Sequence, residues 1–297
     1  MCIGIIVSEI SESGDASRIN EDQIGYTSAN GLCAAWIIDG ATPLRDARYV
    51  VAEGYENDVV WFVRSASRAL QQYALNGSTP ADIIESAMID VADQYRRAVG
   101  AIDHVPPEDR PVAALAWIRG TSKGSEVQLE AAAFADCKII VVRPGHAPVL
   151  LLDDGGRLDA RVQRQVADLQ CSGAASMDAV KHALLPSLLQ GRRAQNTKPS
   201  AKILGLDPTS IANLRHESIS IQGSFHLLLC SDGIFRLVDV YKQMTLVEFV
   251  ETALKSGPEL LLKKLRSIEA RDRECHAYPR VKPSDDASIL VLRLQPC

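Results

Sequence analysis

Carboxylates recur in four short clusters along the chain: Asn20-Glu21-Asp22, Asp39-Gly40, Ser231-Asp232-Gly233 and Asp285-Asp286. The last three adjoin apolar runs of strand character. Ala34-Ala35-Trp36-Ile37-Ile38 leads into Asp39, Leu227-Leu228-Leu229-Cys230 leads into Ser231-Asp232, and Asp285-Asp286 opens onto Ser288-Ile289-Leu290-Val291-Leu292. Carboxylates at the ends of buried strands tend to meet at one sheet edge, where repulsion costs on the order of a few kcal/mol per close pair unless cations neutralise it. The pattern therefore asks for metal. A donor set of oxygens, poor in histidine and cysteine, suits small hard divalent ions and gives zinc little to bind.

The elements that must position these acids can be read from periodicity. Val59, Val63, Ala66, Leu70 and Tyr73 repeat at helical spacing up to Asn76-Gly77. Thr79 reads as the N-cap of a second helix with Pro80 at its first position and Ile84, Ala87, Val91 and Tyr95 as its apolar stripe. Residues 112 to 119, 126 to 134, 137 to 143 and 148 to 152 read as successive strands, a meander that predicts antiparallel pairing. The stretch 163–210 is the least regular, with one helix around Met177 to Leu189 and a polar basic segment at Arg192-Arg193 to Lys198, and reads as a flap or surface excursion. Strands at 216–221 and 225–230, helices at 245–256 and 258–270 and a closing strand at 287–294 complete the pattern. Two sheets flanked by helix pairs satisfy it, within one domain spanning 1–297.

With 297 residues and 46% hydrophobic content the chain can bury a substantial core, and a net charge of -5 with mixed signs excludes a nucleic-acid or polybasic membrane footprint. No apolar run reaches the ~20 residues that span a bilayer, so the expected address is cytoplasmic and without membrane attachment. Seven cysteines form no CxxC pair, and their placement predicts reduced, mostly buried thiols.

In order, separation and strand context, the four acidic clusters resemble the motifs of the metal-dependent (type 2C, PPM-type) serine/threonine protein phosphatases, in bacterial style, from about residue 14 to 294. Ala135-Asp136-Cys137-Lys138 falls where that family has a Gly-Asp-Ser turn, and Arg143-Pro144-Gly145-His146-Ala147-Pro148 resembles a turn of its bacterial members. The resemblance implies an α+β fold, a four-layer α-β-β-α sandwich with two Mn²⁺ or Mg²⁺ ions in the cleft between mainly antiparallel sheets. By carry-over, Asp39 would bridge both ions, Glu21 and the Gly40 carbonyl would hold one, and Asp232 with Asp285 would hold the other. Asp22 would orient water, and Asp136 would either hold a weaker third ion or serve as an ordinary hairpin-turn Asp. The implied reaction is hydrolysis of phosphoserine or phosphothreonine in a protein by water held between the two ions, which neutralise the phosphoryl oxygens.

Two departures from that pattern stand out. Ala41 follows the Asp-Gly pair where eukaryotic relatives carry a proton-donating His, and general acids typically contribute ~10²- to 10⁴-fold. The family's phosphate-binding Arg lies four positions before the metal-binding Glu, where this chain has Ser17, with Arg18 one residue closer. On an extended strand that shift reverses the side chain unless a bulge corrects it, and Arg45 is the reserve. Two other readings compete. Met1-Cys2-Ile3-Gly4-Ile5 superficially resembles the start of amidotransferases with an N-terminal Cys nucleophile, although Ile3 interrupts their Met-Cys-Gly. The other is a catalytically silent phosphatase-like regulatory domain.

Overall fold

Continuous apolar runs predict strands covered on both faces, and the computed structural model, which describes residues 3–76, 78–153, 157–172 and 176–296, places them so. The chain starts with β1 (Ile3–Glu12), β2 (Asp22–Ala29) and β3 (Leu32–Gly40), followed by helices α1 (Asp58–Tyr73) and α2 (Pro80–Val99). Strands β4 (Val112–Lys123), β5 (Glu126–Phe134), β6 (Lys138–Val142) and β7 (Val149–Leu151) precede helices α3 (Arg157–Cys171) and α4 (Met177–Gln195). A two-residue strand β8 (Leu204–Gly205) leads to β9 (Arg215–Gln222) and β10 (Phe225–Cys230). Helices α5 (Asp232–Asp239), α6 (Leu246–Ser256) and α7 (Pro258–Arg271) come before β11 (Ala287–Pro296).

The strands form two antiparallel sheets, one in the order β1-β11-β10-β6-β7 and the other β2-β3-β4-β5-β9, with β8 paired to β4. Side-chain alternation along β3 shows the layering. Cys33, Ala35 and Ile37 meet Leu227, Leu229, Leu290 and Leu292 between the sheets. Ala34, Trp36 and Ile38 face α1 and α2, packing with Val59, Val63, Leu70 and Ile84. On the opposite side Leu228, Cys230, Ile289 and Val291 pack with Phe235, Phe249, Leu261 and Leu265 of α5 to α7. The result is the α-β-β-α sandwich, in which β3 and β10 are apolar on both faces and acids stand at or just beyond their ends.

Local signals hold up where they have a mechanism. Thr79 caps α2 in a reciprocal capping box with Asp82, and Pro80 stands in the first turn. Pairing is antiparallel, but the four strands from 112 to 152 are not one meander: β4 pairs with β5 in one sheet and β6 with β7 in the other. The chain crosses between sheets at Ala135-Asp136, where Ala135 has a left-handed φ of 55°. The stretch 163–210 is also more regular than its composition predicts, since it holds most of α3 and all of α4. These two helices share a small core of Val166, Met177, Val180, Leu184 and Cys275. Cys33, Cys137, Cys230 and Cys275 are buried free thiols and Cys171 is an exposed one. Gly77, Cys2 and Cys297 lie outside the described residues, so the amidotransferase reading of Cys2 does too. Among the described residues no helix is long and apolar enough to cross a membrane.

Candidate metal-binding cleft

A cleft of about 510 Å³ opens at the sheet ends, and Asp39, Gly40, Asp136, Asp232 and Asp285 line it together with Arg18. Three elements from two sheets thus deliver their acids to one place. Asp39 ends β3, Asp232 opens α5 directly after β10, and Asp285 precedes β11. Glu21 lies in a small adjoining cavity that shares Arg18, Thr42 and Lys282 with the cleft.

Asp22 and Asp39 are directly opposite in the β2–β3 register. Asp22 is 95% buried, as its 5% exposure shows; its Oδ2 accepts a 2.8 Å hydrogen bond from the Ser231 hydroxyl, while its Oδ1 has no hydrogen-bond partner. Burial, opposed by the serines and reinforced by Asp286 and Asp285, raises the Asp22 pKa to about 7. Burial and the charges of Asp22, Asp232, Asp136 and Asp285 push Asp39 far above the usual carboxylate range. Ser231 is itself locked to the last strand: its hydroxyl accepts from the Ser288 N–H at 3.0 Å and its N–H donates to the Ser288 carbonyl at 3.0 Å.

Glu21 is held from three sides. Its Oε2 accepts from the Thr42 hydroxyl at 2.6 Å, and its Oε1 accepts from Asn57 Nδ2 at 2.9 Å and lies 3.5 Å from Arg18. Asn57 is also the N-cap of α1, its Oδ1 accepting from the Val60 N–H at 2.9 Å, so the residue that starts the helix also positions the acid. Burial raises the Glu21 pKa against the pull of Thr42, Lys282, Asn57 and Arg18.

Asp286 fastens the loop before Glu21. Its Oδ1 accepts from the Gly14 N–H at 2.9 Å, and its Oδ2 accepts from the Glu21 N–H at 2.6 Å. The glycines beside the acids are required by space. A Cβ on Gly40 would stand 2.6 Å from the Glu21 carbonyl oxygen, and one on Gly233 only 1.9 Å from that of Asp286.

Arg18 reaches the cleft because residues 13 to 20 form a turn and not a strand, with the Arg18 N–H donating to the Asp15 carbonyl at 3.0 Å. Strand parity does not govern it. Arg45, the reserve, is engaged elsewhere: its guanidinium binds Asp109 through Nε and Nη2, each at 2.8 Å, and it does not line the cleft. Arg192, expected in a solvated loop, belongs to α4 and donates to the Ala41 and Thr42 carbonyls at 3.2 and 3.4 Å, tying that helix to the loop after Asp39-Gly40.

Two cations that sequence reasoning passed over enter the cleft. Arg236 Nη2 lies 2.9 Å from Asp232 Oδ2 and 2.6 Å from Asp285 Oδ2. Lys282 Nζ pairs with Asp285 Oδ1 and donates to Thr42 Oγ1 at 2.9 Å. Burial would raise the Asp285 pKa, but Lys282 and Arg236 outweigh it and hold the carboxyl at about 2. Arg236 was legible as the i+4 partner of Asp232 once a helix is started at Ser231.

The donor chemistry fits a divalent cation on the Glu21–Asp39–Gly40 side, where buried oxygens outnumber nearby cations and Asp22 Oδ1 is orphaned. On the Asp232–Asp285 side the carboxylates already carry ion pairs. Accordingly, among the described residues no three acidic, His or Cys side chains form a ready-made metal cluster.

Comparison with solved structures places this architecture. The catalytic domain of the serine/threonine protein phosphatase PstP, in complex with 2 manganese ions, matches at a TM-score of 0.52 and 14% identity over 99% of both chains. The serine/threonine phosphatase of S. agalactiae matches at 0.51 and 12% identity, over 97% of this chain and 99% of that one. A C. elegans sex-determining protein matches at 0.55 and 13% identity, over 99% of this chain and 65% of that one. No family model and no curated protein matches the sequence. At identities this low the likeness is one of architecture, and the chain has the fold of the PPM-type serine/threonine phosphatases.

Proposed function

We propose that this chain is a metal-dependent phosphomonoester hydrolase acting on phosphoserine or phosphothreonine in a cytoplasmic protein substrate, as a single catalytic domain. The observation that carries the reading is the delivery of Asp39, Asp232 and Asp285, from strand ends in two sheets, to one cleft floor. Glu21, Asp39 and the Gly40 carbonyl would hold a Mn²⁺ or Mg²⁺ ion; Asp232 and Asp285 would be the donors for a second, held more weakly because Arg236 and Lys282 already pair with them, and Asp136 would be left for a third. Bound there, such ions supply Lewis acidity toward phosphoryl oxygens and lower the pKa of water.

The chain's own residues do the rest. Asp22, buried beside Asp39 and oriented by Ser231, is placed to accept a proton from water entering between the sheets. Arg18, on the cleft rim, is the donor available for phosphoryl oxygens, through paired charge-assisted hydrogen bonds. With Ala41 after Gly40, no side chain at that position protonates the leaving group, so solvent in the open cleft serves.

The test is turnover of p-nitrophenyl phosphate and a phosphothreonine peptide after EDTA treatment, with and without added Mn²⁺ or Mg²⁺. Loss on stripping and recovery with either ion is expected. Full turnover in the stripped protein, or none under any condition, would overturn the reading.

A further inference from the structure

The acidic cluster is electrostatically lopsided. On one side Asp232 and Asp285 face Arg236 and Lys282, two negative charges against two positive ones. Arg236 is only 14% exposed, and its contacts of 2.9 and 2.6 Å bridge both carboxylates from one turn along α5. On the other side Glu21, Asp22 and Asp39 bring three carboxyl groups to one further cation, Arg18 at 3.5 Å from Glu21, and Lys282, already paired with Asp285, reaches Glu21 only through Thr42. On this side Asp22 Oδ1, on a residue only 5% exposed, is buried without a hydrogen-bond partner, whereas neither Asp232 nor Asp285 has such an oxygen among the described residues.

An ion entering at Asp232–Asp285 must displace Arg236 and Lys282, which leaves two partly enclosed cations without their anions. An ion entering at Glu21–Asp39–Gly40 relieves repulsion and displaces little. We propose that the cleft holds one divalent cation tightly, on the Glu21–Asp39–Gly40 side, and that Arg236 with Lys282 serves as a built-in cation on the Asp232–Asp285 side, where Arg236 faces the phosphoryl group. The inference rests on the cleft being a divalent-cation site, and it makes the arginine, as a planar donor fixed by two carboxylates, the second electrophilic group for the substrate.

Calorimetric titration of the metal-free full chain with Mn²⁺ tests it, with thermal melts confirming that each variant is folded. The wild type should take one ion, with any second at least about 100-fold weaker. Glu21→Gln should weaken that ion at least tenfold. Arg236→Gln combined with Lys282→Met should reveal a second ion tightened at least tenfold, whereas Arg236→Lys, which keeps the charge, should remain a one-ion protein. Two ions of similar affinity in the wild type would overturn the inference and leave the metal-site reading standing. A single ion in the charge-removed variant would also overturn it. No Mn²⁺ binding to any variant would overturn both.

Discussion

Asp22 and Asp39 face each other across adjacent antiparallel strands, two acids in the one cross-strand arrangement that ordinarily destabilises a sheet. A divalent cation bound at the end of β3, as proposed, would answer both the burial and the repulsion. Asp39→Asn should therefore abolish phosphatase activity while leaving the metal-free protein as stable as the wild type or more so, by on the order of 1 kcal/mol. Activity on a phosphopeptide and denaturation in EDTA, measured on the same preparation, check both halves.

Phosphate capture should depend on Arg18 and not on Arg45. Arg18→Ala is expected to raise KM about tenfold, with kcat falling as well if the contact strengthens in the transition state. Arg45→Ala should leave KM unchanged and lower stability by about 1 kcal/mol, because Arg45 is itself exposed and the enclosed Asp109 keeps its hydrogen bond from the Tyr49 hydroxyl. Steady-state kinetics of both variants decide between them.

Gly233→Ala should be severe although the change is one methyl group. The new Cβ would stand 1.9 Å from the Asp286 carbonyl oxygen, so either α5 or the segment carrying Asp285 and Asp286 must move. A loss of about 3 kcal/mol or more in urea denaturation is expected. A near-neutral result would mean that the two segments are not packed this closely.

Asp239 ends α5 with an Oδ1 that is buried without a hydrogen-bond partner, and burial, with Asp232 nearby, raises its pKa from 3.8 to about 6. A raised carboxyl pKa favours the folded state while the group is protonated. That stability is fully present below about pH 4 and is lost as pH rises through about 6. Asp239→Asn should thus be more stable than the wild type by about 2 kcal/mol at pH 7.5, with the difference shrinking toward zero by pH 4. Thermal melts across that range would show it.

The double-faced strands were legible because a run such as Leu227-Leu228-Leu229-Cys230 has no polar side to give to water, and the capped start of α2 was legible because Thr79, Pro80 and Asp82 each have a mechanism. The partition of strands between sheets was not. A two-residue turn such as Ala135-Asp136 reads alike whether it closes a hairpin or crosses from one sheet to the other, and only the tertiary partners decide. The orientation of Arg18 was left open for a related reason, since parity arguments assume a strand where the chain makes a turn. Arg236 stayed hidden behind the short helix α5, whose eight residues offer little periodicity. Lys282 lies in an irregular segment, so its approach to Asp285 depends on the whole fold.

Among the described residues strand β1 pairs only with β11, Ile3 opposite Pro296 and Glu12 opposite Ala287, and β11 lies between β1 and β10. During synthesis, then, the first strand emerges long before its partner exists. At ribosomal rates of ~5–20 residues per second the wait is on the order of tens of seconds. Throughout it β1 exposes an unpaired backbone ladder of the kind that invites aggregation. Because Asp285 and Asp286 arrive with β11, and Asp286 fastens the Glu21 loop, the acidic centre can be completed only after residues 285 and 286 have emerged. A nascent chain should thus be inactive and chaperone-dependent until β11 slots between β1 and β10.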